Sequence, residues 1–177
     1  GSFIPESVTV HIIPNLNPDG YALAPTESAR DRRFNANSID LNRNFDCRWA
    51  PESSWRSEIV SAGTAPFSEP EAAALRDYVT KVNPNAAVFW HSTGNAVFTS
   101  ECDNGVLGAT NLLMNTYASA ANYGAAGLWT AYPVTGDAEG WLASIGIPAV
   151  TVELETRDSI EWERNWAGVL ATLEIYR

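Results

Sequence analysis

The sequence predicts an α/β fold, a mixed and mostly parallel sheet flanked by helices. Three observations carry this. Short apolar, β-branched runs stand at 86–92 (AAVFWHS), 96–100 (AVFTS) and 148–155 (PAVTVELE), each of strand length. Helical patterns occupy 68–82, 106–123, 138–145 and the C-terminal stretch from Trp162. From residue 68 onward the two alternate, which implies strands joined by helical crossovers.

Taken in order, VTVHIIP (8–14) alternates and reads as a strand stopped by Pro14. Residues 15–67 are rich in Asn, Pro, Gly and Ser and read as loop, with one short apolar piece at Ile39-Asp40-Leu41. A loop of that length inside a domain is usually functional. In FSEPEAAALRDYVTKV, Ser68 is placed as N-cap, Pro70 fits the first turn and Glu71 completes a capping box. Leu75, Tyr78, Val79 and Val82 then share a face. In the last helix Trp162, Trp166, Leu170 and Leu173 fall on one side. The whole of 1–177 is read as a single domain, with Gly1-Ser2 read as a cloning remnant.

Composition narrows the function. The chain has 177 residues, 45% of them hydrophobic, with seven Trp, which excludes an intrinsically disordered segment. Its 21 acidic against 11 basic residues give a net charge of −10, which argues against nucleic acid and anionic membranes as partners. No apolar run is long enough to span a bilayer. The acidic balance fits a secreted or extracytoplasmic protein. Cys47 and Cys102 either form one disulfide or stand as two thiols.

Three sites bear chemistry. His91 and Glu153 each close a buried strand, at the carboxyl end where open α/β sheets bind ligands. A carboxylate there is partly desolvated, which suits a general base, although a buried ion pair would look the same. Asn42-Arg43-Asn44 sets a planar guanidinium between two amides, a fork that matches a carboxylate. A surface arginine capping a carbonyl is the competing reading.

The segments IPNLNPDGY (13–21), RFNANSIDLNRNF (33–45), PFSEPEAAAL (66–75), FWHSTG (89–94), YPVTGDAEGW (132–141) and GIPAVTVEL (146–154) occur in one order. That set resembles the zinc carboxypeptidase family, and the resemblance runs from about residue 8 to the end. It implies a three-layer zinc-peptidase sandwich and the removal of C-terminal residues from peptides. It implies His91 as a Zn²⁺ ligand, and Asn42 and Arg43 as the grip on the free C-terminal carboxylate. It assigns Arg33 to the oxyanion, with Arg32 as its neighbouring alternative, and Glu153 to the base that activates water. Tyr132 would close over the substrate, and Asp40 would orient a zinc histidine. Glu139 would meet a basic C-terminal side chain or else face solvent.

A catalytic zinc usually has three protein ligands. In this family two come from a His-x-x-Glu pair ahead of NPDGY, and this chain has none. Its other histidine, His11, reads as a core or edge-strand residue. The resemblance therefore implies one of three zinc ligands here, the C-terminal part of a peptidase domain with its N-terminal part missing, and an isolated chain that is inactive. It also implies a sheet edge open to self-association. The competing functions are a cell-wall peptide peptidase, a zinc deacylase of the same fold, or a metal-free fragment that binds carboxylate-bearing peptides.

Overall fold

The computed structural model describes residues 3–23, 28 and 30–177. They fall into two compact units. One comprises Gly1–His11, Asn85–Trp129 and Leu142–Arg177; the other comprises Ile12–Pro84 and Thr130–Trp141.

The first unit holds the main sheet. Its strands are β3 (Ala87–Ser92), β4 (Ala96–Thr99), β5 (Gly124–Gly127) and β6 (Ala149–Leu154). They lie in the order β3-β6-β4-β5. β3 and β6 are parallel, as are β4 and β5, whereas β4 runs antiparallel to β6. The sheet is therefore mixed, and the sequence reading missed only the Gly/Ala-built β5. One face of it, carrying Val97, Val150 and Val152, packs with Leu113, Met114, Tyr117, Ala118 and Ala121 of α3 (Gly108–Ala121). The buried positions of α3 recur at helical spacing, so the apolar stripe alone fixes which side faces the sheet.

α5 (Trp162–Ile175) departs from the expected stripe. Its buried residues are Asn165, Gly168 and Leu173, while Trp162 is exposed and stacks on Trp166. The reason is local. A Cβ on Gly168 would stand 2.6 Å from the Tyr117 ring, so a glycine lets the two helices meet there. Asn165 is buried because its polar atoms are paired: its Oδ1 accepts from the Tyr117 hydroxyl and from Trp90 Nε1, and its Nδ2 donates to Ile160 O. A hydrophobicity pattern cannot see either residue.

Residues 8–14 are also corrected, since they form no strand. The alternation is present, but these residues have no ladder partner among the described residues, and Ile12 and Ile13 are 80% and 48% exposed. His11 is likewise exposed rather than a core or strand residue.

The second unit is built on loops. It contains α1 (Pro18–Ala22), the hairpin β1 (Glu52–Trp55) and β2 (Glu58–Ser61), α2 (Pro70–Val82), and the start of α4 (Ala138–Ser144). The hairpin lies inside the stretch read as loop. Its turn, Arg56-Ser57, lacks the Asn-Gly or Asp-Gly signal that marks such turns. In α2 the N-cap position belongs to Glu69, not Ser68, and Pro70 takes the first helical position. Ser68 instead accepts from Asn44 Nδ2 and donates to Glu69 Oε1. Ala72, Leu75 and Val79 form the buried face of this helix.

Candidate active site

In the first unit His91 and Glu153 are register partners on neighbouring parallel strands. Opposed residues share a face, so both side chains project from the side of the sheet opposite the α3 core, where Val88, Val150 and Val152 point. Both are half-buried, and Glu153 Oε2 is shielded from solvent. The turn after β3 wraps over the end of β6: the N–H groups of Gly94 and Asn95 both donate to Leu154 O, at 2.9 and 3.2 Å. A side chain at residue 94 would begin 2.9 Å from the Glu153 Cβ, which explains the glycine of STGN. The Ser92–Thr93 peptide is cis.

The second unit gathers Arg33, Asp40, Asn42, Arg43 and the segment 130–141. Arg33 Nε pairs with Asp40 Oδ2 at 2.6 Å, and its guanidinium lies 5.0 Å from the Trp55 ring centroid. Asp40 Oδ1 accepts from Asn42 N at 3.2 Å and caps the 3₁₀ turn Leu41–Arg43. The side chain expected to orient a histidine thus holds the candidate oxyanion arginine and the start of the Asn42-Arg43 turn.

Arg43 is 2% exposed. Its Nε and Nη2 donate to Ser54 O at 3.0 and 2.9 Å, and Nη1 donates to Asn42 O. Among the described residues three of its five N–H groups are used this way, which leaves one on each terminal nitrogen. Asn42 Oδ1 accepts from Ala138 N at 2.9 Å. Phe45 N donates to Gly136 O and Gly136 N to Cys47 O, at 2.9 and 2.7 Å, so residues 136–138 are seated on the Asn42–Cys47 stretch. Gly136 has φ +70°, and a Cβ there would sit 2.1 Å from Arg43 O. Tyr132 is half-buried and leads into this segment.

Glu139 is 4% exposed, so the solvent-facing alternative is not the one adopted. Beside it stands Asp137, which the sequence reading did not single out. Its Oδ2 accepts from Gly140 N at 2.7 Å in the first turn of α4. Burial, and then the charge of Glu139, push the Asp137 carboxyl up to about 6, against the pull of the Gly140 N–H and Arg43. The available signal was an acid placed directly after a glycine at a helix start, which reads as an ordinary cap.

Glu69 is buried as well. Its Oε2 accepts from Asn35 Nδ2 at 2.7 Å and from Asn37 Nδ2 at 2.8 Å. Burial would raise its pKa, but these amides and the Ser68 hydroxyl hold it below the ordinary carboxylate value. It fixes the loop between Arg33 and Asp40 with no cationic partner among the described residues.

Among the described residues no three His, Cys, Asp or Glu side chains form a group able to hold a metal ion. His91 by itself does not make a catalytic zinc site. Both cysteines are disulfide-bonded.

A model of the family described as zinc carboxypeptidase matches residues 4–164. The chain belongs to the zinc carboxypeptidase family. Among the curated members similar to it, carboxypeptidase O of Bos taurus is 28% identical over 193 residues, which cover 96% of this chain and 51% of that one. Murein peptide amidase A of Escherichia coli K12 is 33% identical over 91 residues, covering 46% of this chain and 35% of that one. The chain thus spans from about a third to about half the length of these relatives. In fold it is similar to the carboxypeptidase A of Helicoverpa armigera, with a TM-score of 0.69 at 22% identity, over 93% of this chain and 50% of that one. The zinc carboxypeptidase family is one of hydrolases, and its name carries the metal it uses.

Proposed function

We propose that this chain provides the general base and the carboxylate-binding loop of a metal-dependent carboxypeptidase acting on peptides with a free C-terminal carboxylate. The observation that carries the reading is the pairing of His91 with Glu153 at the carboxyl ends of adjacent parallel strands, on one face. In this proposal His91 is the residue of this chain that would hold the zinc ion, which when bound would lower the pKa of the attacking water.

Glu153 takes a proton from the attacking water and returns it to the leaving amine. Arg43 and Asn42 bind the terminal carboxylate, and the two unused N–H groups of Arg43 support that role. Arg33 donates to the oxyanion, and Tyr132 covers the substrate. Glu139, buried with Asp137 in the first turn of α4, favours a basic departing residue. The disulfide-bonded cysteines support an extracytoplasmic location. No described helix is long and apolar enough to cross a membrane.

The similarity to a murein peptide amidase favours a second reading, in which the substrate is a cell-wall peptide. Steady-state hydrolysis by the full-length protein of matched free-acid, C-terminally amidated and muropeptide substrates tests both. The first reading expects the free acid to be cleaved and the amide to be a poor substrate. Equal turnover of acid and amide removes the carboxypeptidase reading, and selective cleavage of the muropeptide installs the second.

A further inference from the structure

We propose that Arg164 is a positioning residue that fixes the ends of β3 and β6, and with them the His91–Glu153 pair; this rests on the reading of that pair given above. Arg164 stands in the first turn of α5, its side chain 23% exposed. Its five N–H donors meet five acceptors. Nε donates to Ala121 O at 2.9 Å. Nη2 donates to Asn122 O at 2.6 Å and to Asn95 Oδ1 at 2.9 Å. Nη1 donates to Glu155 Oε2 at 2.9 Å and to Glu161 Oε2 at 3.1 Å. The guanidinium carbon lies 3.7 Å from the centroid of the Tyr123 ring.

These acceptors come from four segments: the end of α3, the turn after β3, the loop after β6, and the start of α5. Capping α3 would need only the carbonyls of Ala121 and Asn122. Asn95 and Glu155 lie a few residues beyond His91 and Glu153 respectively, and one planar group holds both. The backbone supports the same clamp. Asn95 O accepts from Gly124 N at 3.2 Å, and Glu161 Oε1 accepts from the N–H groups of Glu155 and Thr156 at 2.8 and 3.1 Å. A lysine has three donors on one nitrogen and cannot reach these acceptors in one plane.

The test is steady-state kinetics of the full-length protein on a free-acid peptide, well below the melting temperature of each variant. Arg164→Gln is expected to lower kcat about 100-fold with KM little changed, the size of a small misplacement of reacting groups. Arg164→Lys should rescue little of it. Glu155→Ala removes one arm of the clamp from an exposed side chain, leaves the α3 cap in place, and guards against an Arg164 variant that fails to fold. It should lower kcat about threefold with an unchanged melt. Arg157→Gln, on the same loop, should match the wild type. Wild-type kcat per folded molecule in both Arg164→Gln and Glu155→Ala overturns the proposal and leaves Arg164 a helix cap. Retained turnover in Glu153→Gln instead overturns the reading on which it rests.

Discussion

The functional side chains differ in what removing them should do. Arg43 would contact the substrate carboxylate in ground and transition states alike, so Arg43→Ala should raise KM. The lost charge-assisted pair is worth roughly 1.5–3 kcal/mol, about ten- to a hundred-fold. Because Arg43 also ties Ser54 O and Asn42 O, its melt should fall as well. Amidated peptides separate the two effects, since wild type and variant should handle them alike. Glu153→Gln keeps shape and removes the proposed base, so kcat should collapse while substrate still binds. Kinetics beside thermal melts check both variants. A KM for Arg43→Ala equal to that of wild type would remove the carboxylate grip.

Asp137 gives a pH dependence whose sign is fixed. Its carboxyl is raised in the fold to about 6, so the folded state holds the proton more tightly than the unfolded chain. The stabilisation is fully present below the ordinary Asp range and is lost as pH rises through about 6. The expected loss between pH 4 and 7 is on the order of 2 kcal/mol. Asp137→Asn, which can still accept from Gly140 N, should flatten that slope. Chemical denaturation at pH 4, 5, 6 and 7 measures it, and parallel slopes for the two proteins would refute it.

At the scale of elements, the decisive contact in the second unit is between the segment that opens α4 and the Asn42–Cys47 stretch. Gly136 permits it, through a positive φ and the 2.1 Å gap between its absent Cβ and Arg43 O. Gly136→Ala brings both backbone strain and a clash with main chain. It should destabilise by at least about 2 kcal/mol. The same change at Gly108, where nothing lies within 4 Å of a Cβ, should be neutral or slightly stabilising, because it sits at a helix start. Melting the two variants side by side checks the contrast. Equal melts would mean that the Gly136 junction yields without cost.

For the whole molecule two expectations remain. β3 ends the order of the main sheet among the described residues, and Ala87 N donates to Pro148 O, toward β6. The alternating groups of Val88, Trp90 and Ser92 therefore point to the other edge. An open apolar edge of this kind recruits strands. We propose that the 177-residue chain self-associates through it, and that Val88→Pro, which removes an edge donor, lowers the association; sedimentation over a concentration series reads this. Dialysis against zinc followed by metal analysis should find well below one ion per chain, since a closed structural site supplies about 10 kcal/mol or more and one imidazole cannot. Tightly held stoichiometric zinc would show that this chain carries a complete site.

The sequence by itself determined the family, the α/β class, the extents of α3, α4, β3, β4 and β6 to within a residue or two, and the placing of His91 and Glu153 at strand ends. These rest on local order, on apolar periodicity and on motifs whose residues are adjacent in the chain. Only the tertiary structure decided the rest. The 8–14 alternation makes no strand because a ladder needs a partner that local pattern does not supply. Asn165 and Gly168 outrank two tryptophans in burying α5 because pairing and closeness, not hydropathy, set that contact. Asp40 meets Arg33, Arg43 is buried against Ser54 O, and Arg164 joins four segments. Each of these is a meeting of groups that neither the helical nor the strand period brings together, and periodicity carries no record of such meetings.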